Sequence, residues 1–523
     1  MVTKPAFTLG RRACGVLLHL SSLPGPHGIG DLGPQAYRFA DFLASSAQSW
    51  WQMLPVGPIG AGNSPYSSPS SFAGNHLFIS LESLVKEGLL EPQDLEAAEK
   101  GPCAEGRVDY DAVRKFKEPL LRKAATQFAK RSNSGLWSEF KSFYMSHEFW
   151  LDDYALYCVL KGMHGEGPWT EWAPEIRARR FRNWGRETLR DLGEAAFYHH
   201  FTQFLFQRQW ARLRAYCARR GIGLIGDVPI FVAHDSADVW ANQGLFQLDG
   251  EGRPTVVSGV PPDYFSRTGQ LWGNPHYRWD VLRRRDYDWW LSRLRSVGEK
   301  FDAVRLDHFI AFQRYWEVPV GAQTARQGRW VSGPGADFFE KAAQKKGEPE
   351  LIAEDLGAVT PEVLELRDRF QLPGMRVLQF AFGVDQQAES FLPRNYPKRC
   401  VAYTGTHDND TAVGWFNDPG TVPDARTPVQ IRKERGNALR YLGTDGKEIH
   451  WDMIRAVAHS PADTAIIPFQ DLLGLGTHAR MNRPGTSSGN WQWRLSSRDL
   501  TPSLAQIFRS LTEASGRALE ARA

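Results

Sequence analysis

The chain has 523 residues, of which 42% are hydrophobic and 23% are charged, values that argue against a disordered or fibrous protein. Its 63 Lys and Arg residues and 59 Asp and Glu residues give a net charge of +4. The densest basic run, Arg283 to Arg285, is too short to indicate a nucleic-acid partner. No stretch approaches the ~18 consecutive apolar residues that span a bilayer, so no membrane partner is expected either.

The cysteines and the first residues indicate the compartment. The five cysteines lie far apart and show neither a CxxC pattern nor a Cys/His spacing suited to zinc. They are Cys14, Cys103, Cys158, Cys217 and Cys400. Arg11 and Arg12 precede a short apolar run, but His19 interrupts it and no small-residue cleavage site follows. We therefore expect a soluble, cytoplasmic protein with reduced cysteines.

Short apolar segments alternate with helical patterns along the chain. Several of these segments are β-branched or apolar throughout, as expected of parallel strands that are covered on both faces. The predicted strands are residues 15–20, 49–54, 222–229, 301–306, 350–354, 375–381, 400–406 and 464–469. Helical patterns lie at 34–47, 201–219, 287–298, 361–370 and 499–517. Eight such alternations predict an α/β fold, either a closed (β/α)8 TIM barrel or a large doubly wound sheet.

The spacing of the predicted strands is uneven. We expect a single catalytic barrel over residues 1–523, with a mainly helical insertion at 55–220 after the second strand and another insertion at 230–300 after the third. Helical patterns in the first insertion cover 84–100, 110–131, 137–160 and 175–183. The Gly- and Pro-rich stretch 250–275 in the second is too long for a simple turn and is typical of a functional loop.

Four predicted strands end in or next to a carboxylate: Asp227, Asp307, Glu354 and Asp408. Barrel enzymes place catalytic groups at the carboxyl ends of their strands, so these acids would meet at one mouth. Several acids in one place are electrostatically costly, and such a cluster persists where chemistry or a cation uses it. The sequence therefore predicts an active site built from carboxylates.

The surroundings of the acids suggest a role for each. Glycosyl transfer with retention needs a nucleophilic carboxylate and an acid/base carboxyl about 5 to 5.5 Å apart, which consecutive barrel strands can supply. Asp307 has Arg305 two residues earlier on the same face to keep it ionised, as a nucleophile requires. Glu354 follows an apolar run that would raise its pKa and keep a proton available. Asp408, beside His407, would stabilise positive charge at the reacting carbon.

Other interpretations remain open at this point. Each acid alone could be a strand-end cap or a salt-bridge partner. His234, His308 and His407 could be hydrogen-bonded structural histidines or substrate contacts. Together with Asp227 and Asp408, two of these histidines could in principle bind a metal, but no HxH or HExxH spacing supports that, so neither a metal nor another cofactor is expected.

Long motifs in fixed order resemble the 4-α-glucanotransferases called amylomaltases or disproportionating enzymes, glycoside hydrolase family 77 of the α-amylase clan. The similarity runs almost end to end. The motifs are NSPYSSPSSFAGN at 63–75, GDVPIFVAHDSADVW at 226–240, GVPPDYFSRTGQLWGNP at 259–275, VRLDH at 304–308, AEDLG at 353–357, THDN at 406–409 and MNRPGTSSGNWQWR at 481–494.

The resemblance implies a TIM barrel with subdomains inserted between its strands, and Asp307, Glu354 and Asp408 as nucleophile, acid/base and stabiliser. It implies that residues 259–275 form a loop over the cleft. It also implies these substrate contacts: Tyr66, Asp227, Gln270, Trp272, Arg305, His308, His407, Asn482 and Pro484. Packing between subdomains is the alternative for Trp272, and a turn position between two prolines is the alternative for Tyr66.

The implied reaction transfers a segment of a 1,4-α-D-glucan to the 4-hydroxyl group of an acceptor through a covalent glycosyl-enzyme. The expected partners are maltooligosaccharides and glucans derived from starch or glycogen, with glucose as one acceptor. The carboxylates would serve water equally well, so hydrolysis is an alternative that only the acceptor side can decide. A glucan-binding barrel without catalysis is a second alternative, although such a protein would not need all three acids.

Overall fold

The computed structural model describes residues 7–96, 106–131, 135–179, 186–263, 266–345, 349–383, 387–420 and 426–518. The strands within these ranges are β1 (Ala13–Leu17), β2 (Trp50–Gln52), β3 (Gly223–Pro229), β4 (Val256–Val260), β5 (Gln270–Pro275), β6 (Ala303–Asp307), β7 (Arg314–Pro319), β8 (Arg329–Ser332), β9 (Glu350–Ala353), β10 (Gly374–Val377), β11 (Cys400–Tyr403) and β12 (Thr464–Pro468).

The helices of the same ranges lie mainly between these strands. They are α1 (Pro34–Ser45), α2 (Leu81–Lys86), α3 (Pro92–Glu96), α4 (Tyr110–Ala129), α5 (Gly135–Met163), α6 (Pro174–Arg177), α7 (Arg186–Arg219), α8 (Ala237–Ala241), α9 (Trp279–Arg284), α10 (Asp288–Lys300), α11 (Ile310–Gln313), α12 (Ala336–Ala343), α13 (Pro361–Arg369), α14 (Ala412–Asn417), α15 (Pro428–Leu442), α16 (Ile449–Ala458), α17 (Phe469–Leu472) and α18 (Pro502–Ala514).

Eight parallel strands close into a barrel in the order β1-β2-β3-β6-β9-β10-β11-β12, with β12 paired to β1. This closure decides between the two predicted architectures, and the (β/α)8 TIM barrel is confirmed. Each of the eight predicted strands overlaps one barrel strand, although the predicted ends were off by up to a few residues because loops leaving the barrel are also apolar. Strands β1, β2, β11 and β12 are buried along their whole length, which explains why they lack strict alternation.

Close packing inside the barrel requires glycine at one strand position. A Cβ atom on Gly15 in β1 would lie 2.5 Å from the backbone oxygen of Trp50 and 2.9 Å from the Ile466 side chain. Real Cβ atoms do not approach backbone that closely, so any side chain at position 15 would push β1 away from its two neighbours. The first predicted strand is therefore held tightly between β2 and β12.

The helical region between β2 and β3 buries many of the aromatic residues. Helices α4, α5 and α7 meet around the ring of Phe128, whose centroid lies 4.8 Å from those of Trp137 and Phe201 and 5.5 Å from that of Phe140. The predicted helix at 84–100 is wrong as a single element, because α2 ends at Lys86, where Gly88 takes a left-handed φ of 65°, and α3 begins separately at Pro92. The helix predicted at 175–183 shortens to α6, and residues 97–100 and 180–183 lie outside the described ranges.

An antiparallel sheet in the order β5-β4-β7-β8 lies beside the barrel. Residues 259–275 were expected to form a loop, but the two ends of this segment lie in strands β4 and β5. The two strands pair with each other, Val257 with Pro275 and Val260 with Gln270. Pairing satisfies backbone groups that a long irregular loop would leave exposed. Strands β7 and β8, which follow β6, were not predicted. Residues 264 and 265 lie outside the described ranges.

Two further predictions concern the described residues. Cys14, Cys158, Cys217 and Cys400 form no disulfide, and Cys103 lies outside the described residues. In the part of the chain that the structure describes, no helix combines the length and the apolar character needed to cross a bilayer.

Candidate active site

The four predicted acids follow strands that are neighbours in the barrel. Asp227 lies within β3 opposite Arg305 of β6, and Asp307 ends β6. Glu354 directly follows β9, and its backbone N–H donates to the Leu306 oxygen at 3.2 Å. Asp408 was predicted at the end of a strand. It lies instead in the connection that follows β11, five residues beyond the end of that strand. The adjacency of β3, β6 and β9 thus brings three carboxylates to one place.

Arg305 connects the three carboxylates of this group. Its Nη1 donates to Asp227 Oδ2 at 2.7 Å, and its Nη2 lies 2.9 Å from Asp307 Oδ1 and 3.9 Å from Glu354 Oε2. The arginine side chain is 5% exposed, so these interactions lie out of bulk water. A planar guanidinium holds two carboxylates at fixed angles, which a lysine ammonium cannot do. Asp307 has the neighbouring cation that the sequence predicted.

The distances from Arg305 Nη2 also limit the separation of Asp307 and Glu354. Their nearest oxygens cannot be further apart than the 2.9 Å and 3.9 Å distances laid end to end. A separation of about 5 to 5.5 Å, as in retaining glycosidases, falls within this limit. Most of the range of ~6.5 to 9.5 Å that an inverting pair of carboxyl groups needs lies beyond it. The geometry suits a nucleophile and an acid/base carboxyl on opposite sides of one glycosidic bond.

Burial and the neighbouring acids perturb two of the carboxyl groups. Burial, reinforced by Asp307 and opposed by Arg305, raises the pKa of Glu354 well above its usual value. This is the predicted direction, and a raised pKa keeps the proton of Glu354 available to higher pH. Its Oε2 also accepts the His308 backbone N–H at 2.5 Å, which fixes the carboxyl orientation. Burial likewise raises the pKa of Asp227 to about 7.

Tyr66 lies at a turn, as one interpretation predicted, and also reaches the acids. Its backbone N–H donates to Ser64 Oγ, while its hydroxyl donates to Asp227 Oδ2 at 2.9 Å. Burial and the carboxylate of Asp227 raise the pKa of Tyr66 well above its usual value, so the hydroxyl remains a donor. The second oxygen of Asp227, Oδ1, is buried and has no hydrogen-bond partner among the described residues. A substrate hydroxyl is the partner that such an atom fits.

His308, Trp272 and Gln270 form a second side of the cleft. The backbone of His308 adopts a φ of 53°, a conformation that residues other than glycine rarely take, and one that is common where function requires strain. Burial lowers the pKa of His308 to about 4, and its Nε2 has no hydrogen-bond partner within the described part of the chain. Its ring meets the Trp272 ring edge to face at 4.8 Å.

Trp272 is more exposed than packing between subdomains would leave it, at 38% of its surface. Its Nε1 donates to Gln270 Oε1 at 3.2 Å, and Gln270 Nε2 donates to Asp263 Oδ2 at 2.6 Å. The chain Asp263-Gln270-Trp272 orients an indole face on the hairpin of β4 and β5. The exposed ring and the oriented amide favour the substrate-contact interpretation of both residues.

Asp408 is held by a segment much later in the chain. Asn482 Nδ2 donates to its Oδ1 at 2.6 Å, and His407 Nε2 lies 3.4 Å from its Oδ2. Arg480 Nη2 donates to the Asp408 backbone oxygen at 2.7 Å. The His407 ring stacks on Tyr66 with centroids 5.1 Å apart, and burial lowers the pKa of His407. Asp408 is thereby joined to the Tyr66 and Asp227 side of the cleft.

The structure also shows the surroundings of other residues near the site, whose roles the sequence left open. Pro484 is half-buried, two residues after Asn482. His234 is structural, because its Nε2 lies 2.7 Å from the Gly252 oxygen. Arg480 was missed by the sequence analysis, and its position just before the 481–494 motif was the only available signal. In the described ranges, no three His, Cys, Asp or Glu side chains are grouped to hold a metal ion.

The comparisons with known proteins all indicate the same family. A family model described as 4-alpha-glucanotransferase matches residues 18–501. The 4-alpha-glucanotransferase of Thermus thermophilus is 47% identical over 514 residues, 97% of this chain and 99% of that protein. That of Synechocystis sp. is 45% identical over 516 residues, 97% and 99% of the two chains. The structure is similar to that of the amylomaltase from Streptococcus agalactiae in complex with acarbose, with a TM-score of 0.89, 35% identity, and coverage of 97% of this chain and 100% of that one.

Proposed function

The chain belongs to the 4-alpha-glucanotransferase family and transfers segments of 1,4-α-D-glucan, and we propose that Asp307, Glu354 and Asp408 carry this reaction. The observation that supports this assignment best is the position of Arg305, which holds Asp307 at 2.9 Å while Glu354 lies 3.9 Å from the same nitrogen. One carboxylate is thus paired with a cation, and the other is buried with a raised pKa. These are the opposite requirements of a nucleophile and a proton donor.

In the first step Asp307 attacks the anomeric carbon of the donor, while Glu354 gives its proton to the glycosidic oxygen. The bond between that carbon and oxygen breaks, and the leaving chain departs with a free 4-hydroxyl group. In the second step the ionised Glu354 takes the proton of an acceptor 4-hydroxyl group. The acceptor oxygen attacks the same carbon and displaces Asp307, so the α configuration is retained.

Asp408 stabilises the transition states of both steps. Positive charge develops at the anomeric carbon as each bond breaks, and a fixed carboxylate in a site sheltered from water stabilises that charge. Asn482 and His407 hold the two oxygens of Asp408, so little reorganisation is needed when the charge appears.

The remaining predicted contacts surround the same bond. Asp227 Oδ1 and His308 Nε2 are buried polar atoms that substrate hydroxyls would satisfy. The further contacts in this proposal are Tyr66, Gln270, Trp272, Arg305, His407, Asn482 and Pro484. The donors are maltooligosaccharides and glucans derived from starch or glycogen, glucose is one acceptor, and the enzyme acts in the cytoplasm.

A further part of the proposal concerns the layout of the chain and the choice of acceptor. Residues 55–220 and 230–300 are insertions into one catalytic barrel, since β2, β3 and β6 are consecutive barrel strands on either side of them. The hairpin at 259–275 places Trp272 against His308 beside the acids. An aromatic face over the cleft favours a sugar acceptor over water, because it binds the acceptor and displaces solvent.

Incubation with maltotriose tests the acceptor directly. Transfer yields glucose together with maltooligosaccharides longer than the substrate, whereas glucose and maltose alone would indicate hydrolysis. The substitutions Asp307→Asn and Glu354→Gln should each reduce turnover by at least about 10³-fold. Glu350→Gln is the matched control, because Glu350 lies at the opposite end of β9, where it accepts the Leu9 backbone N–H at 2.7 Å. Unchanged turnover in the first two variants would refute the assignment.

A further inference from the structure

A pocket of about 190 Å³ lies outside the catalytic cleft, between α5, α8 and α10. Aromatic rings form much of its lining. Phe72 is one of them, with Trp150 stacked parallel at 6.0 Å and Trp289 edge to face at 5.9 Å. Phe149 meets Phe72 edge to face at 5.6 Å and leaves 59% of its own surface exposed at the rim. An exposed phenylalanine beside buried tryptophans is unusual for a surface that nothing covers.

Polar groups complete the lining of this pocket. They belong to Asp153, Asp238, Asn242, Arg285, Asp288 and Ser292. Asn242 Nδ2 donates to the Asp238 backbone oxygen at 3.0 Å, which fixes the orientation of its amide. The pocket therefore combines flat apolar rings with oriented donors and acceptors.

One wall of the pocket is shared with the catalytic region. Ser70 and Phe72 line this pocket and also line a second cavity that contains Tyr66 and Asp227. The same segment is fixed to α8, because the Ser71 backbone N–H donates to Asp238 Oδ2 at 2.7 Å. The pocket thus lies behind the segment that carries Tyr66.

The lining limits the class of ligand. Ring faces pack against the C–H face of a pyranose, and the hydroxyl groups of the sugar pair with amides and carboxylates. The arginines at this pocket are already paired with its carboxylates, Arg285 with Asp288 at 2.8 Å and Arg179 with Asp153, so neither is free to hold an anion such as a nucleotide. A purely apolar ligand would leave the oriented polar groups without partners. A neutral sugar satisfies both kinds of lining.

We propose that this pocket binds a glucosyl unit of a long α-glucan, as a second contact separate from the catalytic cleft. The inference rests on the proposed function, because it supplies the reason for a glucan to be near. A second contact raises the effective concentration of a polymeric substrate at the cleft without changing the chemistry. Short substrates cannot reach both sites and gain nothing from it.

Affinity electrophoresis in native gels that contain soluble starch tests the pocket. The protein carries Asp307→Asn throughout, so that the starch is not consumed. Adding Phe149→Ala removes the exposed ring, and adding Ser292→Arg fills the pocket from its rim. Each should weaken retention by about three- to tenfold. Met145→Ala is the matched control, because Met145 lies on the same helix, is 78% exposed and does not line the pocket. Equal retention of all four proteins would overturn the proposal.

Kinetics of the otherwise native enzyme separate this proposal from the proposed function. With Phe149→Ala or Ser292→Arg, KM for long amylose should rise by about three- to tenfold, while kcat/KM for maltotriose stays within about twofold of the unsubstituted enzyme. Equal losses on both substrates would show that the variants damage the catalytic cleft, and would refute the second site. Failure of the unsubstituted enzyme to disproportionate maltotriose would instead refute the proposed function.

Discussion

Arg305→Lys isolates the contribution of the arginine geometry to catalysis. The guanidinium uses separate nitrogens for Asp227 at 2.7 Å and Asp307 at 2.9 Å, and one ammonium group cannot keep both contacts in the same directions. Loss of one charge-assisted hydrogen bond costs about 1.5 to 3 kcal/mol. If the loss falls on the transition state, kcat should decrease by about 10- to 150-fold.

The same substitution should move the pH profile in a defined direction. Arg305 lowers the pKa values of Glu354 and Asp227, although burial raises both more strongly. A weaker cation therefore lets the pKa of Glu354 rise further, so the acid/base carboxyl keeps its proton to higher pH. The basic limb of kcat/KM, which reports loss of that proton, should shift to higher pH.

Glucose release from maltotriose, measured across pH, provides both readouts, and thermal unfolding reports stability. Arg214→Lys is the matched control, because Arg214 Nη2 pairs with the largely buried Asp302 at 2.8 Å beside the amino end of β6. It should lower stability and leave kcat within about twofold. An Arg305→Lys enzyme with native kcat and an unshifted basic limb would show that Arg305 does not tune the acids.

Three further predictions use other parts of the site and its surroundings. Asn482→Ala removes the donor to Asp408 Oδ1, so kcat should fall by about 10- to 100-fold with little change in KM; an unaltered kcat would contradict a role in holding Asp408. Trp272→Ala should raise the fraction of maltotriose that is hydrolysed rather than transferred, measured by the ratio of free glucose to longer products; an unchanged ratio would remove Trp272 from acceptor binding. His276 is fully buried, and burial lowers its pKa to about 4. Below about pH 6.5 the histidine therefore binds a proton in the unfolded state but not in the folded state, which lowers the free energy of unfolding of the wild type. The free energy of unfolding, measured in urea at pH 8 and at pH 5, should therefore decrease by about 2 kcal/mol less in His276→Phe than in the wild type. An equal decrease in both proteins would mean that His276 does not titrate as inferred.

The parts of the site that lie on consecutive barrel strands could be predicted from sequence. Asp227, Arg305, Asp307 and Glu354 belong to β3, β6 and β9, and a parallel barrel brings the carboxyl ends of neighbouring strands together whatever the loops between them do. Residues reached by long connections could not be placed in this way. Arg480 contacts the Asp408 backbone only because the chain returns to the cleft after β12, and no local pattern encodes that return.

The sheet beside the barrel shows a second limit of prediction. Strands β4 and β5 come from one insertion, and β7 and β8 follow the next barrel strand. Strand β7 pairs with β4 although the barrel strand β6 lies between them in the sequence, as in the pairing of Trp316 with Gly259. Such pairing depends on where the barrel places the two connections, so sequence periodicity alone indicated only a functional loop there.

The closure of β1 against β12 determines when activity can first appear. Ala13 to Leu17 pair with Thr464 to Pro468, so the barrel cannot close before β12 has been synthesised. Asn482, which holds Asp408, is made later still. On the proposed assignment, a nascent chain carries Asp307 and Glu354 before the barrel that positions them can close. Folding in turn depends on contacts between distant residues, which favours slow maturation and a need for protection from aggregation.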